Sequence, residues 1–535
     1  MLRRLHELDR RITTGQLAIN AAALSKVDVD QFYGIEVEEF PARIAEVAMY
    51  LMDHLANQEL SQQFGLYYAR FPLQTAAHIH VANALTIDWN TVLPASECDY
   101  LLGNPPFVAK KRRNAEQVKD MERIFGGRTV LDYVAAWFSK TAAYIKGQQT
   151  RAALVATNSI VQGEQVPTLW PGLLAAGLRI DFAHRSFRWT SEARGRAAVY
   201  VVIIGFSEGG KRSAKLLYDY ETSTSAPHER VAEQINPYLA DAPALVIPQG
   251  RRTPLLPMPA ASWGSMPNDN GHLLLTEAEK QAVETSDPLA ARYIWPLLGA
   301  EQIIDGTSRW CFWLTGADPK DIRDSRVLRE RVNAVKAYRE SSNRAATKRL
   351  AAVPALFGEI RQPAARYLCA PLHTSERRRY IPMMFAPPDV IAHNSTFTIQ
   401  GADTYLFGLL HSATWMAWVR AISGRLKGDY RISASVVYNT FPWPDPPTGA
   451  ARRRVTDAAQ AVLDARDAHR DSTLADLYDP LAMPADLVTA HTALDRATDA
   501  LYGRGSFNEA KRLAALLRRY QQLTTLTPPR RARRV

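Results

Sequence analysis

The sequence predicts an α/β chain that opens with a doubly wound sheet, passes into a mixed α+β region and ends in helices. Three observations lead there. Over roughly the first two hundred residues, helix-period runs alternate with short apolar runs, as in strands joined by crossover helices. From about residue 226 the pattern turns irregular and rich in Pro, Trp and Arg, and from about 450 to 523 it becomes helical. A chain of 535 residues also exceeds one ordinary core. Domains are therefore expected at 1–225, 226–445 and 446–525, with 526–535 a basic tail.

The elements follow in order. "FYGIEV" (32–37) reads as a strand, and "PARIAEVAMYLMDHL" (41–55) as an amphipathic helix with proline in its first turn. "IHVANAL" (79–85) and "DYLL" (99–102) are strands, and "VLDYVAAWFSKTAAYI" (130–145) is a helix. "RAALVATNS" (151–159), "LRIDFAHRSF" (178–187) and "AVYVVIIGF" (198–206) supply three more strands. "VTDAAQAVLDARDAH" and "NEAKRLAALLRRYQQL" are helices of the C-terminal region.

The chemistry gathers behind the fourth of these elements, in "CDYLLGNPPFVAKKRR" (98–113). Gly103 punctuates the strand, which delivers Asn104 to an edge of the sheet, where ligands of such folds bind. Pro105 and Pro106 fix their own φ and push the residues before them toward extended geometry, so Asn104 and Pro105 are rigid. The Asn104 side-chain oxygen and the Pro105 carbonyl then form two convergent acceptors that match the two donors of an exocyclic NH₂. Such a grip favours a pyramidal nitrogen and frees a lone pair otherwise delocalised into an aromatic ring. Phe107 is placed to stack on that ring, a contact worth roughly 1–3 kcal/mol per unstacked base. The plainer reading is a strand followed by a Pro-Pro turn.

Other residues fit around that tetrapeptide. Glu36 ends its strand where an acidic residue accepts the ribose hydroxyls of a nucleotide. Asn83 could bond the adenine edge of a cofactor, with a turn-forming role as its alternative, and Asp88 is a weaker candidate. Asp132 and Tyr133 stand at a helix start, where Asp has an ordinary capping role. Phe187 and Trp189 read as a loop between two apolar strands, beside Arg185 and Arg188, with a flipped base or the core as their partner.

Net charge is +11, concentrated in Lys110, Lys111, Arg112 and Arg113, in Arg251-Arg252, in 377–379, in 452–454 and in the tail. Such clusters suit a polyanion, with solvated faces as the alternative. The three cysteines have neither a disulfide framework nor CxxC spacing, so no structural zinc and no other metal are expected and the cytoplasm is the expected location. The opening "MLRRLHELDRR" lacks an apolar stretch after it, and the longest apolar run is about half a membrane span.

The order of Glu36, Asn83, "NPPF", "TNSIVQGEQ" (157–165) and "FAHRSFRW" (182–189) resembles amino-group DNA methyltransferases that use S-adenosylmethionine. More narrowly it resembles the MmeI-like adenine methyltransferases of bacterial restriction-modification and phage defence. "MPNDNGHLLLTEAE" (266–279), "RWCFWL" (309–314), "GRLKGDYRISASVVYNTFPWP" (424–444) and "TLADLYDPLAMPADLVTAHTALDRATDALYG" (473–503) extend the likeness over nearly the whole chain.

The resemblance implies a Rossmann-like methyltransferase domain, target recognition by roughly residues 230–440 and a helical C-terminal domain. It implies methyl transfer to adenine N6 in duplex DNA by base flipping, with Asn104, Pro105, Pro106 and Phe107 catalytic. Glu36, Asn83 and Asn104 would hold S-adenosylmethionine, and Phe187, Trp189 and 110–113 would meet the base and DNA. The family's glycine-rich "DPACGSGNFL"-like loop and the strand before it are not found in this sequence, and no nuclease motif is found. An upstream polypeptide supplying that loop is one expectation. An inactive DNA-recognition subunit is a second, and a methyltransferase for RNA or a protein glutamine a third.

Overall fold

Two parallel strands, β1 (Tyr33–Glu36) and β2 (His78–Val81), pair in register from Tyr33 opposite His78 to Glu36 opposite Val81. They belong to a computed structural model that describes residues 27–64, 76–127, 129–189, 199–209, 214–220, 225–248, 250–426 and 429–525. The opening "MLRRLHELDRR" and the tail 526–535 lie outside the described residues. The helix Glu39–Phe64 that follows β1 runs beyond the expected 41–55, because no Gly or Pro interrupts the sequence from Ala42 to Phe64. Strand β2 stops short of the expected 85 because Asn83 turns the chain. The Asn83 carbonyl accepts from Thr86 N at 2.9 Å and Ile87 N at 3.1 Å, and its side-chain Oδ1 accepts from Leu85 N at 2.9 Å.

Six further strands are β3 (Tyr100–Gly103), β4 (Arg151–Thr157), β5 (Leu178–Trp189), β6 (Val199–Glu208), β7 (Lys215–Asp219) and β8 (His228–Ala232). Their order is β3-β4-β6-β5-β7-β8, with β3 parallel to β4 and β7 antiparallel to β8. The β7–β8 hairpin carries this sheet to Ala232, past the expected boundary at 225. "HERVA" reads as a loop in sequence because an exposed edge strand needs no apolar alternation.

The molecule divides into two compact units. The first comprises the chain up to Ala156 with Gly172–Phe182 and Ile203–Ser213, and the second comprises Thr157–Pro171, Ala183–Val202 and the chain from Ala214 onward. Within the first unit, the helices Ala115–Phe125 and Ala135–Tyr144 pack on each other. The latter begins later than the expected 130, because residues 132–134 form turns whose carbonyls accept from residues 135–137.

Within the second unit, Met384–Ala386, Tyr367–Pro371, Thr396–Gln400 and Ala261–Trp263 lie side by side in one antiparallel sheet. Another sheet orders Leu274–Leu275, Trp310–Phe312, Ile294–Leu298 and Ile391–Ala392. The helix Arg326–Ser341 contributes Leu328 and Val335 to the core on that side. The C-terminal helices Gly449–Asp467 and Ala485–Asp499 pack on each other and on Thr404–Leu410. Among the described residues no helix is long and apolar enough to cross a membrane, and no cluster of His, Cys, Asp and Glu could hold a metal ion.

Candidate active site

Strand β3 delivers its chemistry through Gly103, which packs closely against its partner in β4. A Cβ on Gly103 would lie 2.9 Å from Leu154 Cδ2, on the residue paired with it in β4. Beyond it Asn104 is exposed, Pro105 buried and Phe107 half-buried. The buried Pro105 anchors the tetrapeptide while the Asn104 amide faces solvent. Val108 N donates to Pro106 O at 3.2 Å, and the Val108 carbonyl accepts from Tyr133 N at 3.0 Å, which fastens the far end of the loop. The extended geometry required by two consecutive prolines is thus held at both ends.

Tyr133 is the hub of a network that composition alone did not announce. Its hydroxyl donates to Asp120 Oδ2 at 2.8 Å, and the same oxygen accepts from Asn83 Nδ2 at 3.1 Å. Arg123 adds an ion pair to the other Asp120 oxygen at 3.5 Å. Asp120 is only 3% exposed. Burial, then the hydrogen bond to Asp120, push the Tyr133 hydroxyl pKa well up, so it remains a donor at any physiological pH. Asn83, expected to reach for a cofactor, therefore has its side chain engaged by Asp120 and Leu85. The signal for this network was the capping pair Asn114 and Gln117, which starts the helix that carries Asp120.

Glu36 ends β1 half-buried, and its Oε1 accepts from Val37 N at 2.8 Å. Its Oε2 makes no hydrogen bond among the described residues, so the carboxylate retains acceptor capacity for a ribose diol. Asp88 caps the short turn Trp89–Thr91, and hydrogen bonds from the Asn90 backbone and then its side chain lower its pKa. Lys140 donates to Ile87 O and stands over the Trp89 ring at 5.4 Å, while Tyr144 OH donates to Leu93 O at 2.7 Å. These contacts pin the 82–97 loop to the helix Ala135–Tyr144.

After Phe107, Lys110–Arg112 form a single 3-10 turn with all three side chains exposed, whereas Arg113 is turned partly inward. Asp132 lies half-buried ahead of Tyr133. Tetrapeptide, basic turn, Glu36, Asn83, Asp120 and Tyr133 all belong to the first unit.

Phe187 and Trp189 belong to the second unit and stand on strand β5, not on the expected loop. Aromatic residues suit a pleated surface, and β5 stays extended past the apolar run that marked it. Two residues apart, they share a face, with ring centroids 6.2 Å apart. Tyr220 stacks on Phe187 at 4.9 Å and bonds His184 Nδ1 through its hydroxyl at 2.8 Å, and His184 stacks on Tyr218 at 4.2 Å. Burial lowers the His184 pKa, which keeps the ring neutral within this aromatic wall. Trp189 remains 39% exposed.

Three family descriptions match this chain: "MmeI, DNA-methyltransferase domain" over residues 1–219, "MmeI, target recognition domain" over 241–445 and "MmeI, C-terminal domain" over 448–527. The solved structure of the type IIL restriction-modification enzyme MmeI in complex with DNA superimposes with a TM-score of 0.81 at 42% identity, covering 98% of this chain and 71% of that one. The chain belongs to the MmeI family. DNA methyltransferase A of Bacillus subtilis (strain 168) is 37% identical over 505 residues, which are 93% of this chain and 56% of that protein. The chain thus spans little more than half the length of that relative. Asn104–Phe107, Glu36, Asn83, Asp120 and Tyr133 all fall within the part matched by the family's methyltransferase domain.

Proposed function

We propose that this chain carries the catalytic and sequence-reading parts of a site-specific DNA methyltransferase that modifies adenine at N6. The observation that carries this reading is the exposed Asn104 amide beside the anchored Pro105, with half-buried Phe107 next to it, in a chain of the MmeI family. S-adenosylmethionine, when bound, supplies a methyl group activated by its sulfonium. Glu36, with one carboxylate oxygen uncommitted, fits its ribose, and Asn83 supports the wall through Asp120 instead of reaching out. Asn104 Oδ1 and the Pro105 carbonyl hold the two N6 hydrogens, and Phe107 stacks on the flipped ring. The N6 lone pair forms the new N–C bond as the C–S bond breaks, and one N6 proton then leaves to water. The barrier is lowered by positioning and electrostatics, so no metal and no strong base are required. The free state of Cys98, Cys311 and Cys369 suits a cytoplasmic setting.

A second reading rests on a specific observation. β3 is an edge of its sheet and β1 is an edge of its own, and among the described residues neither edge is paired. The helix Glu39–Phe64 also exposes Phe40 (76%), Ile44, Val47, Leu51 and Leu55 at helical spacing. An upstream polypeptide carrying a strand and a glycine-rich cofactor loop would fit there, and this chain alone would then be a DNA-recognition portion. Titration calorimetry of the purified chain with S-adenosylmethionine separates the two readings, since micromolar binding would rule out the dependent portion. Transfer of tritiated methyl to duplex DNA, RNA and total protein tests the acceptor. Label confined to protein or RNA would overturn the DNA reading.

A further inference from the structure

Two loops of the first unit, one after β2 and one after β3, are fastened to a single oxygen atom. Asn104–Phe107 leads into Val108, whose carbonyl accepts from Tyr133 N at 3.0 Å, and the Tyr133 hydroxyl donates to Asp120 Oδ2 at 2.8 Å. The same Oδ2 accepts from Asn83 Nδ2 at 3.1 Å. Asn83 in turn builds the turn after β2: its Oδ1 accepts from Leu85 N, and its carbonyl accepts from Thr86 N and Ile87 N. Among the described residues no hydrogen bond joins 83–87 to 104–108 directly, so the hydrogen-bonded link between them runs through Asp120. The carboxylate is carried by a third element, the helix Ala115–Phe125. Arg123 pairs with its other oxygen, Oδ1, which leaves Oδ2 to the two loops. Asp120 and Tyr133 are both buried, and the Tyr133 ring is held edge-on against Trp137 at 5.2 Å. Losing the acceptor would leave the Tyr133 hydroxyl and an Asn83 N–H unmet where water does not readily replace it.

We infer that Asp120 is a positioning residue that sets the turn 83–87 and the loop 104–108 in one register, so that ordering either loop orders the other. The inference rests on the proposed methyl transfer, in which the turn stands on the side of S-adenosylmethionine and the loop holds the amine. Asp120 touches neither substrate. Transfer between two separately held groups depends steeply on their alignment, since a displacement of about 1 Å can cost on the order of a hundredfold in rate.

The turn carries its own reporters, because the amides of Leu85, Thr86 and Ile87 are the donors that Asn83 holds. Amide hydrogen exchange is measured for the wild type, Y133F, D120L and D120N, with and without duplex DNA selected for tight binding to the wild type. DNA should slow exchange at Phe107 and Val108 directly, and at 85–87 through Asp120, each by about fivefold or more in the wild type. In Y133F and D120L the slowing at 85–87 should fall below about twofold while that at Phe107 and Val108 persists. D120N keeps an acceptor oxygen and should retain both. Y133F removes one hydroxyl and keeps the bond to Val108, so it carries the comparison if D120L fails to fold. With an active wild type, single-turnover transfer by Y133F should fall roughly tenfold while DNA affinity stays within about threefold, and D120N should recover most of that rate. The inference is overturned if DNA leaves 85–87 unaffected in the wild type, if it slows 85–87 in Y133F as in the wild type, or if Y133F transfers at the wild-type rate. Exchange needs no turnover, so a wild type that couples the two stretches yet methylates no DNA would count against the function and not against the role of Asp120.

Discussion

Arg339 shows how one side chain can hold a region together through backbone carbonyls. It is fully buried and donates to five carbonyls: Asn268 at 3.0 Å, Leu350 at 3.0 Å, Val353 at 2.9 Å, Pro267 at 2.9 Å and Leu356 at 2.8 Å. Those carbonyls belong to two loops far apart in sequence, so the guanidinium acts as their common knot. Arg339→Met preserves volume but leaves the acceptors unmet, and urea denaturation should show a loss of about 3 kcal/mol or more. An unchanged midpoint would mean that water replaces the guanidinium. Nothing in the local sequence "KAYRES" distinguishes this arginine from a solvated one, because its partners come from 11 to 72 residues away in sequence, beyond its own helix. Asp120 escaped sequence reading for the same reason, because its partners Asn83 and Tyr133 lie 37 and 13 residues away, whereas the rigidity of Asn104-Pro105-Pro106 is local and was legible from the tetrapeptide alone.

Elements meet closely where the helix Thr404–Leu410 crosses its neighbours. A Cβ on Gly408 would lie 2.9 Å from Ala459 Cβ and 3.1 Å from Val455 Cγ1, on the helix Gly449–Asp467. Gly408→Val should lower stability by about 1–3 kcal/mol through overpacking, read as a shifted thermal midpoint. The same helices enclose a polar core that makes this region sensitive to acid. His411 Nε2 lies 2.7 Å and His491 Nε2 3.1 Å from the Tyr478 hydroxyl, and Tyr380 stacks on His491 at 3.8 Å. Burial first, then Arg466 and Arg379, lower the His491 pKa to about 3, and burial, His491 and Arg466 lower that of His411. A depressed folded pKa means the unfolded chain binds more protons, so this stability is present above about pH 6.5 and is lost as pH falls from there toward 3. Asp495, whose pKa burial raises above the ordinary 3.8, works in the opposite sense, its contribution being lost as pH rises through its folded value. His491→Gln should therefore flatten the fall in stability between pH 6.5 and 5, and an unaltered slope would assign it to other groups. Long periodic elements such as the helix Gly449–Asp467 were legible in the sequence. The β7–β8 hairpin was not, since an edge strand can be polar on both faces. The segment "YNTFPWP" is explained by packing: Tyr438, Phe441 and Trp443 are buried together, and Asn439 Nδ2 ties them to Arg251 O at 2.8 Å.

At the scale of the whole molecule, the net charge of +11 is spread over separate basic clusters, each of which the proposed function assigns to the polyanion. Lys110 and Lys111, exposed on the turn after Phe107, should contribute charge and not sequence. Neutralising both should weaken binding to all duplexes alike and flatten the dependence of log K on log salt by roughly 0.9 for each phosphate left without its cation. A changed preferred site with an unchanged slope would show that they read bases. Sequence readout by roughly residues 230–440 was legible as a region but not as residues, since which side chains reach base edges depends on how the sheets of the second unit fold. Asn104 is proposed to grip the amine that receives the methyl group. The most direct test of that grip is single-turnover methyl transfer to duplex DNA by Asn104→Ala, in a preparation whose wild type is active, with DNA binding measured alongside. Asn104 is exposed, so the fold should survive. Transfer should fall at least about a hundredfold while DNA affinity stays within about threefold. Transfer at the wild-type rate would contradict the claim.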